Sequence, residues 1–288
     1  MEYCIQTKKE VSQKMLSPLL LQKYNDLKYY FEKNAKKGIS IAYSGGVDST
    51  LLLKAAVDAA SSQERRVLAV ILETKLHPHS DIILAMTRAK ELHAIPVVIP
   101  IDEFQEPEIM NNPINRCYLC KRLLFSKLKE LAVKKGCTFI CDGTNKDDEK
   151  EYRPGMKALK ELDIHSPLLE LGITKAEVRS ISAALGLSTA SVPSTPCLAT
   201  RLPYNTHLDV VLLSRIHTGE EWLRSLGFYN VRLRFHEPLL RIEIDCSDFE
   251  LLLDHREKII EKMKTLGFVY TTLDLEGFRS GSMDIKQT

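Results

Sequence analysis

The 288-residue chain is long enough for one large domain or two with separate cores, and its 44% hydrophobic and 27% charged residues are those of an ordinary globular protein. Forty Lys and Arg against 38 Asp and Glu leave no broad positive field, which counts against a nucleic-acid partner. The opening MEYCIQTKKEVSQK lacks the apolar stretch of a signal peptide, and no apolar run approaches the roughly 18 residues that span a bilayer, so the expectation is a cytoplasmic protein with no membrane partner.

In chain order, residues 24–37 read as an amphipathic leading helix. A strand over 39–43 precedes a helix over 48–60, a strand over 67–72 a helix over 81–93, and a strand over 97–101 a helix over 117–135, before a further strand over 138–141. Such alternation predicts a parallel sheet with helices on both faces. From 145 to 203 the chain turns irregular, rich in Asp, Ser, Thr and Pro, with one clear helix over 175–185. Long irregular stretches of this kind border sites. The order then changes to a helix over 208–226, strands over 231–235 and 239–244, a helix over 249–266 and a strand over 269–275. This is a small α+β unit, expected to bind substrate or to mediate assembly of a homo-oligomer. The boundary is placed at residue 205, giving domains 1–205 and 206–288.

The first motif is the turn between the first strand and its helix, Ser44-Gly45-Gly46-Val47-Asp48-Ser49. A Gly-rich turn into a helix presents backbone N–H groups and the positive end of the helix dipole to an anion, usually a phosphate. A kinase-like NTPase loop would carry a lysine here. This one carries a carboxylate instead, which makes sense if Mg²⁺ lies between Asp48 and the phosphates. SGGVDS resembles the PP-loop of ATP pyrophosphatases, which cleave ATP between the α- and β-phosphates and adenylate a substrate. A plain strand-to-helix turn is the bland alternative.

Asp142-Gly143-Thr144-Asn145, with Asp147 and Asp148 beyond, follows the strand over 138–141 and so belongs at the carboxyl edge of the sheet, where open α/β folds bind ligands. It resembles the metal-binding DGTNxDD of PP-loop enzymes, although an Asx-capped polar turn has the same composition. The resemblance implies an adenine nucleotide alpha hydrolase-like α/β domain with a smaller α+β domain. It also implies ATP contacts from Ser44, Gly45, Gly46, Asp48, Ser49, Gly143 and Thr144, and magnesium at Asp48 and Asp148.

Three later stretches, SPLLELGITKAEVRSISAALGL, PSTPCLATRLPYNT and LDLEGFRSGSMD, closely resemble the LarE family, over residues from about 20 to the end. LarE enzymes adenylate the carboxylates of pyridinium-3,5-biscarboxylic acid mononucleotide and convert them to thiocarboxylates for the nickel-pincer cofactor. The resemblance implies that Cys197 carries the sulfur. A thiolate attacking an acyl adenylate gives a thioester. In the family's sacrificial variant the Cys Cβ–S bond then breaks and leaves dehydroalanine. Arg201, four residues on, is expected to favour the thiolate and to contact substrate.

Cysteine usage raises a second question, since seven thiols in a reducing compartment read as free thiols, metal ligands or catalysts. Cys117 and Cys120 form a CxxC at a helix start, one turn apart on one face. With Cys197 they supply three ligands for a 4Fe-4S cluster with one open iron, as in some LarE proteins, and the partner would then be a sulfide donor. A zinc site without an evident fourth ligand, or reduced thiols in the core, are the alternatives. Cys137 and Cys141 read as core, on one face of a strand, Cys4 and Cys246 carry no signal, and His77-Pro78-His79 reads as a turn before it reads as a metal pair.

In Val231-Arg232-Leu233-Arg234-Phe235 the strand period puts both arginines on one face. Arginine forks suit the phosphate and carboxylates of the expected nucleotide substrate, and Arg279 in GFRSGS matches a further family position. A solvated strand face is the ordinary alternative. Two other functions stay open: a tRNA thiolase, which would need a basic stripe or an RNA-binding module, and a nucleotide sensor that binds ATP without releasing pyrophosphate.

Overall fold

Strand β1 (Ile39–Ala42) is one of the two inner strands of a parallel sheet in the order β3-β2-β1-β4, with β2 at Val67–Glu73, β3 at Ile95–Pro100 and β4 at Phe139–Cys141. These elements belong to a computed structural model that describes residues 16–61, 67–150, 154–193, 196–279 and 281–283. The N-terminal stretch and Cys4 lie outside the described residues.

Register follows from side-chain alternation. Ile39 and Ile41 face one hydrophobic cluster together with Val67, Ala69, Ile71, Phe139 and Cys141, while Leu68, Val70 and Ile140 face another. Both faces are therefore covered, as a parallel sheet requires. Helices α1 (Pro18–Asn34) and α2 (Val47–Ser61) pack on the first cluster, where Tyr24, Leu27, Phe31, Leu51 and Leu52 are buried. The second cluster is closed by α4 (Arg116–Lys134), through Leu124, Phe125 and Leu128. Between them in sequence, α3 (His79–Glu91) buries Ile82, Ala85 and Ala89. Cys137 falls before β4 and packs in the second cluster, whereas Cys141 packs in the first, so the two do not share a strand face. Burial raises both thiols above their ordinary range.

Two short helices escape the sequence reading of the irregular stretch. They are α5 (Gly155–Glu161) and a single turn at Pro167–Glu170, both too brief to show a period. Helix α6 (Lys175–Ala184) starts on a capping box in which Thr174 and Glu177 bond each other's backbone N–H.

The second unit is a three-stranded sheet, β5 (Val231–His236), β6 (Leu239–Ile244) and β7 (Tyr270–Leu273), in that order, antiparallel then parallel. Helix α7 (Val210–Ser225) buries Leu213, Ile216 and Leu223 against Val231, Leu233 and Ile242. The helix expected over 249–266 is two pieces, α8 (Phe249–Asp254) and α9 (Arg256–Thr265), separated at His255. Among the described residues, segments 75–78, 104–116 and 196–205 group with this unit, in addition to those from 206 onward. No helix among the described residues is long and apolar enough to cross a membrane.

Candidate functional site

The phosphate-type turn is built where β1 ends. Gly45 has φ +72°, a left-handed conformation that glycine adopts without strain. Ser44 Oγ and Ser49 Oγ share a hydrogen bond at 3.1 Å, and Ser49 Oγ donates to Gly46 O at 3.1 Å. The first N–H groups of α2 stay free of intrahelical partners by the geometry of any helix start.

The structure brings the DGTN loop against this turn. A Cβ on Gly143 would lie 3.1 Å from Ser49 N and 3.3 Å from Asp48 Cβ, so any larger residue would have to push the turn back by a few tenths of an ångström. Asn145 Nδ2 donates to Asp48 Oδ1 at 3.2 Å. Inside the loop Asp142 accepts from Thr144 Oγ1 at 2.5 Å and from Ser166 Oγ at 2.6 Å, with Lys121 Nζ at 3.7 Å. Asp148 Oδ2 accepts from Asn145 N at 2.9 Å, which shapes the loop. The sequence reading missed Lys175, whose ammonium pairs with Asp48 while its backbone N–H donates to Asp147 Oδ2 at 2.9 Å. The signal was slight, a single lysine directly after the Thr174 cap.

Magnesium fits this donor set through Asp48. Mg²⁺ takes one or two carboxylates and draws its other ligands from phosphates and water, and Asp48 already pairs with a cation, the Lys175 ammonium. Among the described residues no group of three or more His, Cys, Asp or Glu is arranged to hold a metal by itself.

On the first turns of α4, Cys117 is exposed and Cys120 half-buried. An exposed Cys117 is not a core thiol, which removes one of the alternatives for that residue.

In the second unit Cys197 begins a turn of 3₁₀ helix, Leu198–Arg201, and is partly accessible. Arg201 is 0% exposed. Its fork holds Glu220 at both oxygens, Nε to Oε1 at 2.7 Å and Nη2 to Oε2 at 3.0 Å. Its remaining nitrogen donates to Thr200 Oγ1 at 2.8 Å and Pro196 O at 3.2 Å. Arg201 therefore fixes the backbone that carries Cys197, through the carbonyls of Pro196 and of Cys197 itself. Burial alone would raise the Glu220 carboxyl, but Arg201's charge and bonds and the Leu233 N–H outweigh it and hold the carboxyl below its ordinary range. Its stabilising contribution is thus complete above the unfolded-state carboxylate pKa and is lost as pH falls through the lower folded value. Glu220→Gln leaves a buried guanidinium uncompensated and is expected to cost about 3–5 kcal/mol. A thermal melt checks this, and an unchanged melting temperature would contradict it.

Arg232 and Arg234 share a strand face as predicted, but it is not a solvated one, since they are 4% and 5% exposed. Arg234 donates to Glu243 Oε2 at 3.0 Å and to Thr200 O at 2.8 Å. Arg232 lies over the Phe278 ring at 5.2 Å. Burial, then the charge of Arg201, pulls the Arg232 guanidinium down to about 10, which leaves it protonated at neutral pH. Arg279 donates to Asp274 Oδ2 at 3.0 Å and is half-exposed. Glu243, also missed from sequence, gathers Arg234, Arg241 at 2.9 Å and Ser282 at 2.7 Å.

Comparison with known proteins adds relatives along most of the chain. The NAD synthase family model matches residues 20–115. Pyridinium-3,5-bisthiocarboxylic acid mononucleotide synthase of Lactiplantibacillus plantarum is 36% identical over 246 residues, covering 85% of this chain and 88% of that protein. An uncharacterised protein of Synechocystis sp. is 38% identical over 246 residues, 85% of this chain and 91% of its own length. One from Methanocaldococcus jannaschii is 34% identical over 261 residues, 91% of this chain and 97% of its own length.

Proposed function

Because this chain belongs to the LarE family of ATP-dependent sulfur transferases, we propose that it converts the carboxylates of pyridinium-3,5-biscarboxylic acid mononucleotide to thiocarboxylates, after adenylating each one. The observation that carries this reading is the meeting of Asp48, Gly143 and Asn145 at the glycine turn, a phosphate cradle with a carboxylate and no lysine of its own. The test is pyrophosphate release that depends on the dicarboxylate nucleotide. ATP consumption without it, or binding of ATP with no pyrophosphate at all, would favour the sensor reading, and activity on tRNA the thiolase.

Roles follow from the chemistry. Ser44, Gly45, Gly46 and Ser49, with Gly143 and Thr144, surround the nucleotide phosphates, and Asp48 would hold Mg²⁺, which supplies charge neutralisation there when bound. Arg232, Arg234 and Arg279 grip the phosphate and carboxylates of the second substrate. Arg201 acts by holding the Cys197 turn. Asp148 is assigned to the shape of the DGTN loop before any metal contact, because one of its oxygens is engaged by Asn145.

For sulfur supply we favour a 4Fe-4S cluster that Cys117, Cys120 and Cys197 would hold, and which when bound offers an iron without a protein ligand for sulfide. The donor set supports it, with an exposed and a half-buried thiol one helical turn apart. A second reading has its own support, since it needs one thiol alone and Cys197 is partly accessible. In that reading Cys197 Sγ attacks the acyl adenylate, the C–S bond forms and AMP leaves. Loss of the Cys197 Cα proton then breaks Cβ–S, leaving dehydroalanine in the chain and thiocarboxylate on the product.

The remaining assignments are part of the same proposal: a cytoplasmic enzyme, where thiols stay reduced, and a homo-oligomer assembled through the smaller domain. Exposed Tyr270 on the edge strand β7, with Val269 just before it and its cross-strand partner Leu239 on β6, supports the latter. For the arginine face, Arg232→Lys is expected to raise KM for the dicarboxylate nucleotide about tenfold, the scale of a charged hydrogen bond, and to leave KM for ATP unchanged. Steady-state kinetics with each substrate varied in turn decides this, and equal increases for both would remove the assignment.

A further inference from the structure

Besides the Lys175 ammonium at Asp48, a second cation reaches the phosphate turn from another helix. We infer that Arg88 is a positioning residue for adenylation, one that aims the Gly46 N–H at the pyrophosphate half of ATP by holding the Gly45 carbonyl. The inference rests on the reading of SGGVDS as the ATP-phosphate site.

Arg88 is on α3, and its Nη1 donates to Gly45 O at 3.0 Å. Ala85, three residues earlier on the same face of α3, backs the same glycine. A Cβ added to Gly45 would stand 3.1 Å from Ala85 Cβ and 3.2 Å from Ala85 Cα. The glycine is thus pressed against α3 with its carbonyl drawn toward the guanidinium. A trans peptide is planar, so the carbonyl of Gly45 and the N–H of Gly46 point in opposite directions. Fixing the first fixes the second. The Gly46 N–H now donates to Ser44 Oγ at 3.3 Å, a long bond that a phosphate oxygen can better.

Electrostatics act the same way. A carbonyl facing an incoming pyrophosphate would repel it, and the left-handed Gly45 (φ +72°) has the freedom to rotate that carbonyl outward. The guanidinium cancels the negative end of this peptide dipole and leaves the turn presenting N–H groups. Arg88 touches neither ATP nor the second substrate, and its effect passes through one peptide plane.

Full-length Arg88→Met and Arg88→Lys are compared with the unaltered protein. The readouts are exchange of labelled pyrophosphate into ATP in the presence of the dicarboxylate nucleotide, calorimetric binding of ATP and of AMP, and thermal melting. Arg88→Met is expected to weaken ATP binding about tenfold and slow exchange, with AMP binding kept within about twofold, because AMP lacks the two phosphates concerned. Arg88→Lys, which retains a charged donor, is expected to recover most of the loss. Arg88→Met that exchanges like the unaltered protein overturns the inference, and so does equal weakening of AMP and ATP. Should Arg88→Met fail to fold, Arg88→Gln, which loses the charge but keeps a polar head, decides: ATP weakened more than AMP supports the inference, and the two weakened alike, or neither weakened, overturns it. An unaltered protein that exchanges no pyrophosphate strikes the ATP reading beneath the inference, and is recognised by that control alone.

Discussion

Cys117→Ala is expected to lose iron and repeated turnover together. Anaerobically prepared enzyme should be brown and carry about four irons per chain, and with sulfide supplied each chain should make many products. Removing Cys117 takes away an exposed thiol on the surface of α4, so the fold and the release of pyrophosphate from a single round should persist while, if the cluster proposal holds, the colour and the later rounds vanish. The two sulfur sources make opposite mass predictions. Under the cluster reading the chain keeps its mass through turnover. Under the sacrificial reading each chain becomes lighter by one H₂S in step with product, acquires dehydroalanine at position 197, and does so equally in Cys117→Ala. Colourless protein with that mass loss would overturn the cluster. Cys197→Ala should abolish thiocarboxylate formation under both readings, and a Cys197→Ala enzyme that still makes product would refute both.

Asp48→Asn is expected to lower AMP formation about a hundredfold or more, the scale of removing one preorganised charge from a reacting centre. The substitution keeps the shape of the side chain and its bond with Asn145, and Asp48 stands at a helix start rather than in the core. Stability should therefore change little. What is lost is the anion that pairs now with Lys175 and would hold Mg²⁺ with ATP bound. Raising magnesium should restore part of the rate if the role is metal affinity. Near-normal activity at ordinary magnesium would remove that role from Asp48.

How much of this was legible in the sequence depended on whether a feature is contiguous. SGGVDS and DGTNKDD are each complete within a few residues, and the strand before each fixes its place at the sheet edge, so the phosphate turn and its facing loop could be named from the chain alone. Lys175 and Arg88 could not. Each is one basic residue on an amphipathic helix, where charge is commonplace, and its meaning depends on a carboxylate or carbonyl more than 40 residues away in the chain. The arginine face was half-legible: strand period placed Arg232 and Arg234 together, but period cannot tell a solvated face from a buried one. The deciding partners come from elsewhere, Glu243 on β6 and the Thr200 carbonyl. A glutamate inside the apolar run Leu239-Leu240-Arg241-Ile242-Glu243-Ile244 was the available hint, because a buried carboxylate needs a partner. The break at His255 falls in the polar run Asp254-His255-Arg256-Glu257-Lys258, which carries neither Gly nor Pro to mark a helix end.

The turn at Cys197 is anchored through its main chain. Arg201 grips Glu220 and the Pro196 carbonyl, Thr200 Oγ1 bonds the Cys197 carbonyl at 2.8 Å, and Arg234 takes the Thr200 carbonyl. None of these bonds uses the sulfur. If Cys197 were spent under the sacrificial reading, these main-chain bonds would remain, and with them the turn they hold and the arginines proposed to grip the nucleotide. Such a spent chain would outlast its own usefulness and compete with active molecules for scarce substrate. A cell relying on that chemistry would have to remove spent copies by proteolysis or outproduce them, whereas a recycling enzyme imposes no such burden. The ratio of enzyme to product inside the cell is therefore a physiological readout of the same question that mass and iron settle in the tube.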